Sequence, residues 1–335
     1  MRLDSVESLK RSLRSSVNTD VGGLSSDKHA VAYFTPGLTA PTSHAPPTRQ
    51  LGVSLGIALG KGPDDYRLAV RLTRYDAPTR SYVDTLSLQA SGEIDVQVVG
   101  EIQADRPLPS TATTPWRSLQ RPLVPGCSVA HVDVTAGTIG GFVELPDGSQ
   151  RMLSNNHVLA NSDAGSVGDL ILQPGPADDG THPPHAVARL QEFIPLQGSN
   201  IDAALAPLLP NVKFECRYGN RTLTGVGPAS PNMEVFKIGR TTGFTKGSVR
   251  AIAVDDVRVR YGNRVIFFDD QIEIEGDGGP FSRGGDSGSL IFNASGAGVG
   301  LLFAGSDTGG ASGHGFTYAN QLGQVLRRFS AQLIV

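Results

Sequence analysis

Gly284-Gly285-Asp286-Ser287-Gly288-Ser289-Leu290-Ile291-Phe292 (GGDSGSLIF) is the stretch on which the reading of the fold turns. Glycines on both sides of Asp286-Ser287 let the backbone turn sharply where side chains would clash. Ser289 to Phe292 then opens an apolar strand that anchors the turn. A serine hydroxyl exposed on such a turn, with the N–H groups of Ser287 and Gly285 converging beside it, supplies a nucleophile and its oxyanion hole. Taken singly, the same four residues serve equally well as a structural turn, so any chemistry needs partners from elsewhere in the chain.

Two further segments supply them. Met152 to Ala160 (MLSNNHVLA) places His157 at the end of a short apolar strand, and Asn200 to Pro207 (NIDAALAP) places Asp202 at the head of a run of small apolar residues. An imidazole can take the proton from a serine hydroxyl and later return it to a leaving amine. A carboxylate buried in such a run needs a partner, and an imidazole N–H is a suitable one. Each of these residues alone reads as a semi-buried polar group. Their order His157, Asp202, Ser287, each beside an apolar strand, points to a catalytic triad.

These three segments resemble the histidine, aspartate and serine motifs of the chymotrypsin-like serine proteases. Val299 to Ser306 (VGLLFAGS) resembles the strand bordering the specificity pocket of that family, and Gly315 to Tyr318 its far wall. Val235 to Val249 is similar to a strand-turn-strand of the bacterial streptogrisin branch. The likeness spans residues 125 to 330. Pro125 to Ser128, Thr135 to Thr138 and Leu172 to Pro176 extend it to a group of unsecreted bacterial trypsin-like proteins related to the plant narrow-leaf protease. The resemblance implies peptide-bond hydrolysis through an acyl-enzyme on Ser287, with a peptide or protein as substrate and no metal or organic cofactor. A second reading is a silent or autoinhibited protease-fold scaffold that binds peptides or protein partners.

The sequence departs from the family in two places. Secreted trypsin-type enzymes free an Ile-Val-Gly-Gly terminus whose amine pairs with the aspartate before the serine, and no such tetrapeptide occurs here. Asp286 is therefore expected to find another donor or to face solvent. Six residues before Ser287, where the family sets charge preference, stands Phe281. With Phe303, Ala304 and Gly305 on the neighbouring strand, it implies a taste for small or apolar residues before the cut bond.

Composition agrees with a β-rich chain. The 335 residues suggest about two units at roughly 150 residues each. The 41 Gly and 22 Pro point to many turns between short strands. The fold class expected is mainly β, a chymotrypsin-like double β-barrel preceded by a small α/β module. Residues 1–104 form that module with a mobile leader, 105–124 a Pro-rich linker, and 125–335 the barrels. The first barrel is placed at about 125–212, the second at about 228–317, and a terminal helix at 318–333. Within the module, Ser5 to Ser15 has helical spacing, Leu51 to Leu59 and Tyr66 to Thr73 read as a hairpin, Arg80 to Ala90 as a helix and Ile94 to Ile102 as a strand.

Other function classes find little support. A net charge of -3 leaves no basic footprint for nucleic acid. No apolar run reaches bilayer length, and Met1 to Val17 lacks the apolar core of a secretory signal. Cys127 and Cys216 are expected to be free thiols in a reducing, cytoplasmic compartment. His182 and His185, near Asp178 and Asp179, lie in a Pro-rich loop without metal-ligand spacing and are read as solvated. His131 reads as an ordinary strand residue, and His314 stands where it could touch substrate. The Asp255-Asp256 and Asp269-Asp270 pairs are expected at strand edges facing water. A homo-oligomer built through the N-terminal module remains open.

Overall fold

A computed structural model describes residues 1–15, 47–62, 64–104 and 114–335. Of the loop expected over 16–50, residues 16–46 lie outside the described residues, as do 105–113 of the linker; the end of that loop is instead the short helix Pro47–Leu51. The chain is mainly β, as its short, turn-punctuated apolar runs predict.

Six antiparallel strands close the second barrel. Glu234–Gly239 pairs with Gly243–Asp255, which pairs with Gln271–Gly276, then Thr317–Gln321, Ala297–Ser306 and Leu290–Asn293, and the last returns to Glu234–Gly239. Closure removes the exposed edges that an open sheet would present. Val235, Val249, Ile272, Ile274, Ile291, Val299, Leu302 and Ala319 are buried together with Phe281 in one apolar cluster.

The first barrel is built from two smaller sheets. One joins Ser128–His131 to Gly137–Thr138, Leu170–Leu172 and Ala186–Arg189; the other joins Gly141–Glu144, Gln150–Ser154, Ala204–Ala206 and Glu192–Phe193. Val129, Phe142, Met152, Val158, Leu159 and Ile171 are buried between them. Gln332–Leu333, near the end of the chain, returns to pair with Gly141–Glu144, tying the last residues of the sequence to the first barrel. Cys127 is buried, and burial pushes its thiol up to about 12; neither cysteine forms a disulfide.

The N-terminal segment combines strands with helices. Val53–Leu59 and Tyr66–Leu72 make an antiparallel hairpin, and helix Ala77–Gln89 crosses to Ile94–Val98, which lies parallel to Tyr66–Leu72. Asp76 and Thr79 form a reciprocal capping box, satisfying two amide donors that the first turn leaves open. One face of the hairpin, with Val53, Leu55, Ile57, Leu68, Val70 and Leu72, packs against this helix and against Val6 and Leu13 of helix Leu3–Ser15. The hairpin's edge joins the second barrel, because Val53–Leu59 pairs antiparallel with the Gly243–Asp255 strand. One continuous sheet therefore runs from the second barrel into the N-terminal segment.

Charge fastens this junction. Arg71 is buried with its Nε 2.8 Å from both carboxylate oxygens of Glu273 and its Nη2 2.9 Å from Asp95, while the Tyr318 hydroxyl donates to Glu273 at 3.0 Å. Burial works against the guanidinium charge, but the Glu273 and Asp95 carboxylates outweigh it and raise the Arg71 pKa.

Three local expectations are corrected. The terminal helix is confined to Leu322–Arg328; Thr317–Gln321 is instead a barrel strand, because its alternate residues are needed to close the barrel. The expected strand from Ile94 to Ile102 breaks after Val98 and resumes only as Ile102–Gln103, across a positive φ at Gly100. Asp255 and Asp256 do not face water: both are buried. Lys10 and Arg14 of the first helix meet Asp255 at 2.7 and 2.8 Å, and Arg49 and Thr48 meet Asp256 at 2.5 and 2.8 Å. The cations that make this burial tolerable come from some two hundred residues away, beyond the reach of a local reading.

Candidate active site

The strand Gln150–Ser154 ends at Asn155, which precedes the single helical turn Asn156–Leu159. That turn lifts His157 out of the first barrel toward the second. Asp202 stands just before the Ala204–Ala206 strand, whose pairing with Gln150–Ser154 brings the two residues side by side. His157 Nδ1 lies 2.5 Å from Asp202 Oδ2, and the His157 amide donates to Asp202 Oδ1 at 3.2 Å. The carboxylate thus fixes both the ring and the backbone of the residue it faces. A hydrogen bond to an ionised carboxylate is roughly twice as strong as a neutral one, so the imidazole is held in one orientation.

The aspartate has further partners from both sides. Tyr261, on strand Val257–Tyr261, donates its hydroxyl to Asp202 Oδ2 at 2.8 Å. Asn320, on the barrel strand Thr317–Gln321, accepts from the Asp202 amide at 2.9 Å, and Asn155 donates to the Asp202 carbonyl at 2.7 Å. A fully buried carboxylate is tolerable because each oxygen is bonded. The Tyr261 ring also meets the His157 ring edge-on, with centroids 5.8 Å apart.

Ser287 sits on a tight turn of the second barrel. Gly285 and Gly288 flank it at φ of 90° and 94°, a region that side chains rarely adopt. A Cβ on Gly288 would lie 2.1 Å from Ser154 Oγ and 2.3 Å from the Thr138 carbonyl, so the turn presses directly on the first barrel. Thr138 tightens that contact: its amide donates to the Ser287 carbonyl and its hydroxyl to the Gly285 carbonyl, both at 2.8 Å. The Ser287 hydroxyl donates to the backbone carbonyl of Ala104 at 3.4 Å.

No protein-family model and no curated protein sequence matches the chain. Solved structures do match in shape. Protease A of Thermobifida fusca is 18% identical, with 63% of this chain and 98% of that one covered at a TM-score of 0.46. The chymotrypsin of Cellulomonas bogoriensis is 17% identical, with 63% and 97% covered at 0.44. A serine protease specific for glutamic acid is 16% identical, with 63% and 100% covered at 0.47. At such identities the likeness assigns no residue and no activity, and the chain's own geometry has to carry the rest.

A cavity opens beside Ser287, bounded by Phe281, Ser282, Ala304, Gly305, His314 and Thr317 among others. Three of the four residues expected to line a specificity pocket are here. Phe303 is not. Leu302 and Ala304 line the cavity, but the pairing with Thr317–Gln321 is irregular between them, and there Phe303 turns into the core against Phe268, ring centroids 4.8 Å apart. Ser282 and Thr317 share a hydrogen bond of 2.6 Å across the cavity wall, and His314 stands exposed on its lining.

Asp286 finds its donor inside the protein. Its carboxylate accepts from the amides of Thr241, Thr242 and Arg283 and from the Thr242 hydroxyl, at 2.7 to 3.1 Å. Lys237, fully buried on strand Glu234–Gly239, places its ammonium 3.3 Å away. Burial pulls the lysine below its usual range while Asp286 works in the opposite direction. The serine turn is thereby anchored by an internal lysine, without a freed chain terminus.

Lys237, Tyr261 and Asn320 are the supporting residues that the sequence reading missed. A signal existed for the first: in Val235-Phe236-Lys237-Ile238 a charge interrupts an apolar strand, and an unpaired charge does not survive there. For Tyr261 and Asn320 no local pattern distinguishes them from other strand residues.

Proposed function

We propose that this chain is a serine endopeptidase of the chymotrypsin-like type, with His157, Asp202 and Ser287 as its triad. The observations that support the reading are the buried His157–Asp202 pair, 2.5 Å apart, and the close approach of Gly288, next to Ser287, to Ser154, three residues before His157. In this reading Ser287 Oγ attacks the substrate carbonyl carbon while His157 Nε2 takes the hydroxyl proton. Asp202 holds the ring and stabilises the imidazolium that forms. The N–H groups of Gly285 and Ser287 receive the developing oxyanion, and His157 then passes the proton to the leaving amine. Water, activated by the same imidazole, releases the acyl group.

Phe281, filling the barrel beneath the cavity, favours small or apolar residues on the acyl side of the cut bond. The free thiols Cys127 and Cys216 support a reducing, cytoplasmic setting, and the motifs that resemble the narrow-leaf group support the same placement. Among the described residues no helix is long and apolar enough to cross a membrane.

The test is covalent. A small fluorophosphonate is expected to label Ser287, and Ser287→Ala is expected to abolish labelling and lower peptide hydrolysis by roughly 10⁴ to 10⁶, with the melting transition preserved. Labelling of the Ser287→Ala protein to the same extent, or hydrolysis unchanged in it, overturns the proposal.

A further inference from the structure

Strand Ile102–Gln103 does not belong to either barrel, yet it joins the end of Ala297–Ser306 that runs past its pairing with Leu290–Asn293. It pairs antiparallel with Ala297–Ser306, Gln103 opposite Gly305 and Ile102 opposite Ser306, and on its other side runs parallel to Val257–Tyr261. Ile102 is buried among Val259, Phe268, Phe303 and Phe316. The amide of Ala104 donates to the Arg260 carbonyl at 3.1 Å, and Glu101 pairs with Arg260 at 2.9 Å. Gln103 and Ala104 then form one wall of the cavity beside Ser287, and the Ala104 carbonyl receives the Ser287 hydroxyl.

These contacts describe how an extended peptide would bind. A peptide reaching Ser287 needs a strand edge to register its backbone and a cavity for the side chain next to the bond under attack. The edge of Ala297–Ser306 at Gly305 and Ser306 supplies the first, and it is already taken. The contact with Ser287 also points the wrong way for reaction. The hydroxyl proton is directed to the Ala104 oxygen, and among the described residues no hydrogen bond joins that oxygen to the amides of Gly285 or Ser287.

We propose that Ile102–Ala104 is an intramolecular competitor, occupying the acyl side of the substrate cleft uncleaved and leaving it for a peptide to bind. The proposal rests on the peptidase reading. On its N-terminal side the strand is reached through Gly100, whose positive φ of 70° makes a turn between Val99 and the paired residues. Displacement therefore breaks the pairing at 102–104 while Val99 keeps its bond to the Leu72 carbonyl.

The experiment compares two reagents on the full chain and on Gln103→Pro, which removes the amide of Gln103 and restricts the backbone within the strand. The small fluorophosphonate reports Ser287 chemistry; a tetrapeptidyl diphenylphosphonate with an apolar residue next to phosphorus needs the strand edge as well. Inactivation by the peptidyl reagent is expected to be at least tenfold faster in Gln103→Pro. In the unmutated chain, hydrogen exchange over 99–104 is expected to accelerate once the peptidyl reagent is bound, while the small reagent leaves it slower. Equal peptidyl rates in two folded proteins, or unchanged protection of 99–104 under a bound peptidyl group, overturn the competitor and leave the peptidase. Absence of labelling by either reagent in either protein removes both.

Discussion

At the scale of single residues, the candidate site combines groups that a sequence names with groups it hides. His157, Asp202 and Ser287 are legible because each sits in a short motif with its own chemical logic. Tyr261 is legible only in three dimensions, where its hydroxyl is one of the hydrogen bonds that satisfy the buried Asp202 carboxylate. Tyr261→Phe keeps the ring against His157 and removes that bond. A hydrogen bond to a charged group contributes about 1.5–3 kcal/mol, so kcat/KM is expected to fall roughly tenfold or more. Steady-state kinetics on a peptide substrate, with circular dichroism as the check on folding, measures it. Phe303 shows the opposite failing: its place in a pocket-like motif suggested a lining residue, and at the irregularity between Leu302 and Ala304 it turns to the core.

Elements carry the arrangement that brings distant motifs together. The His157 turn, the Asp202 strand and the Ser287 turn are fixed by antiparallel pairing within each barrel and by the contact of Gly288 with Ser154 and Thr138 between them. Gly288→Ala forces a Cβ into backbone and hydroxyl atoms at a positive φ. The expected result is a loss of about 2–4 kcal/mol in stability, read by urea unfolding, and a displaced serine turn that no longer reacts with a fluorophosphonate. The closed six-strand barrel was legible as a class from turn spacing, but the ends of its members were not. Thr317–Gln321 carries apolar residues at a spacing that also fits a helix, and only pairing with Gln271–Gly276 and Ala297–Ser306 decides for strand. The pairs at Asp255 and Asp256 were misread for a related reason, since burial of a charge depends on where its counter-charge folds to.

For the molecule as a whole, the N-terminal segment and the second barrel share one hydrogen-bonded sheet, fastened by Arg71, Glu273 and Asp95. Replacing Arg71 by Met leaves Glu273 buried without its counter-charge, a change that costs about 3–5 kcal/mol. Burial already drives the Glu273 carboxyl upward, and Arg71 is the principal group opposing it. In Arg71→Met the folded-state pKa therefore rises further above the unfolded value. The stability of the variant is accordingly greatest at low pH, where the carboxyl is protonated in both states, and declines as pH rises through the folded-state value. Urea midpoints at pH 5 and pH 8 are expected to show a larger deficit at pH 8.

The shared sheet also bears on how this chain can be divided. Leu55, Ile57 and Ala58 lie opposite Asp255, Ile252 and Ala251. A cut that discards the first hundred residues would strip a neighbour from the longest strand of the barrel, leaving a raw edge of unmet amides and carbonyls. Such a remnant would recruit whatever β-structure it meets, so its behaviour would report stickiness before it reported catalysis.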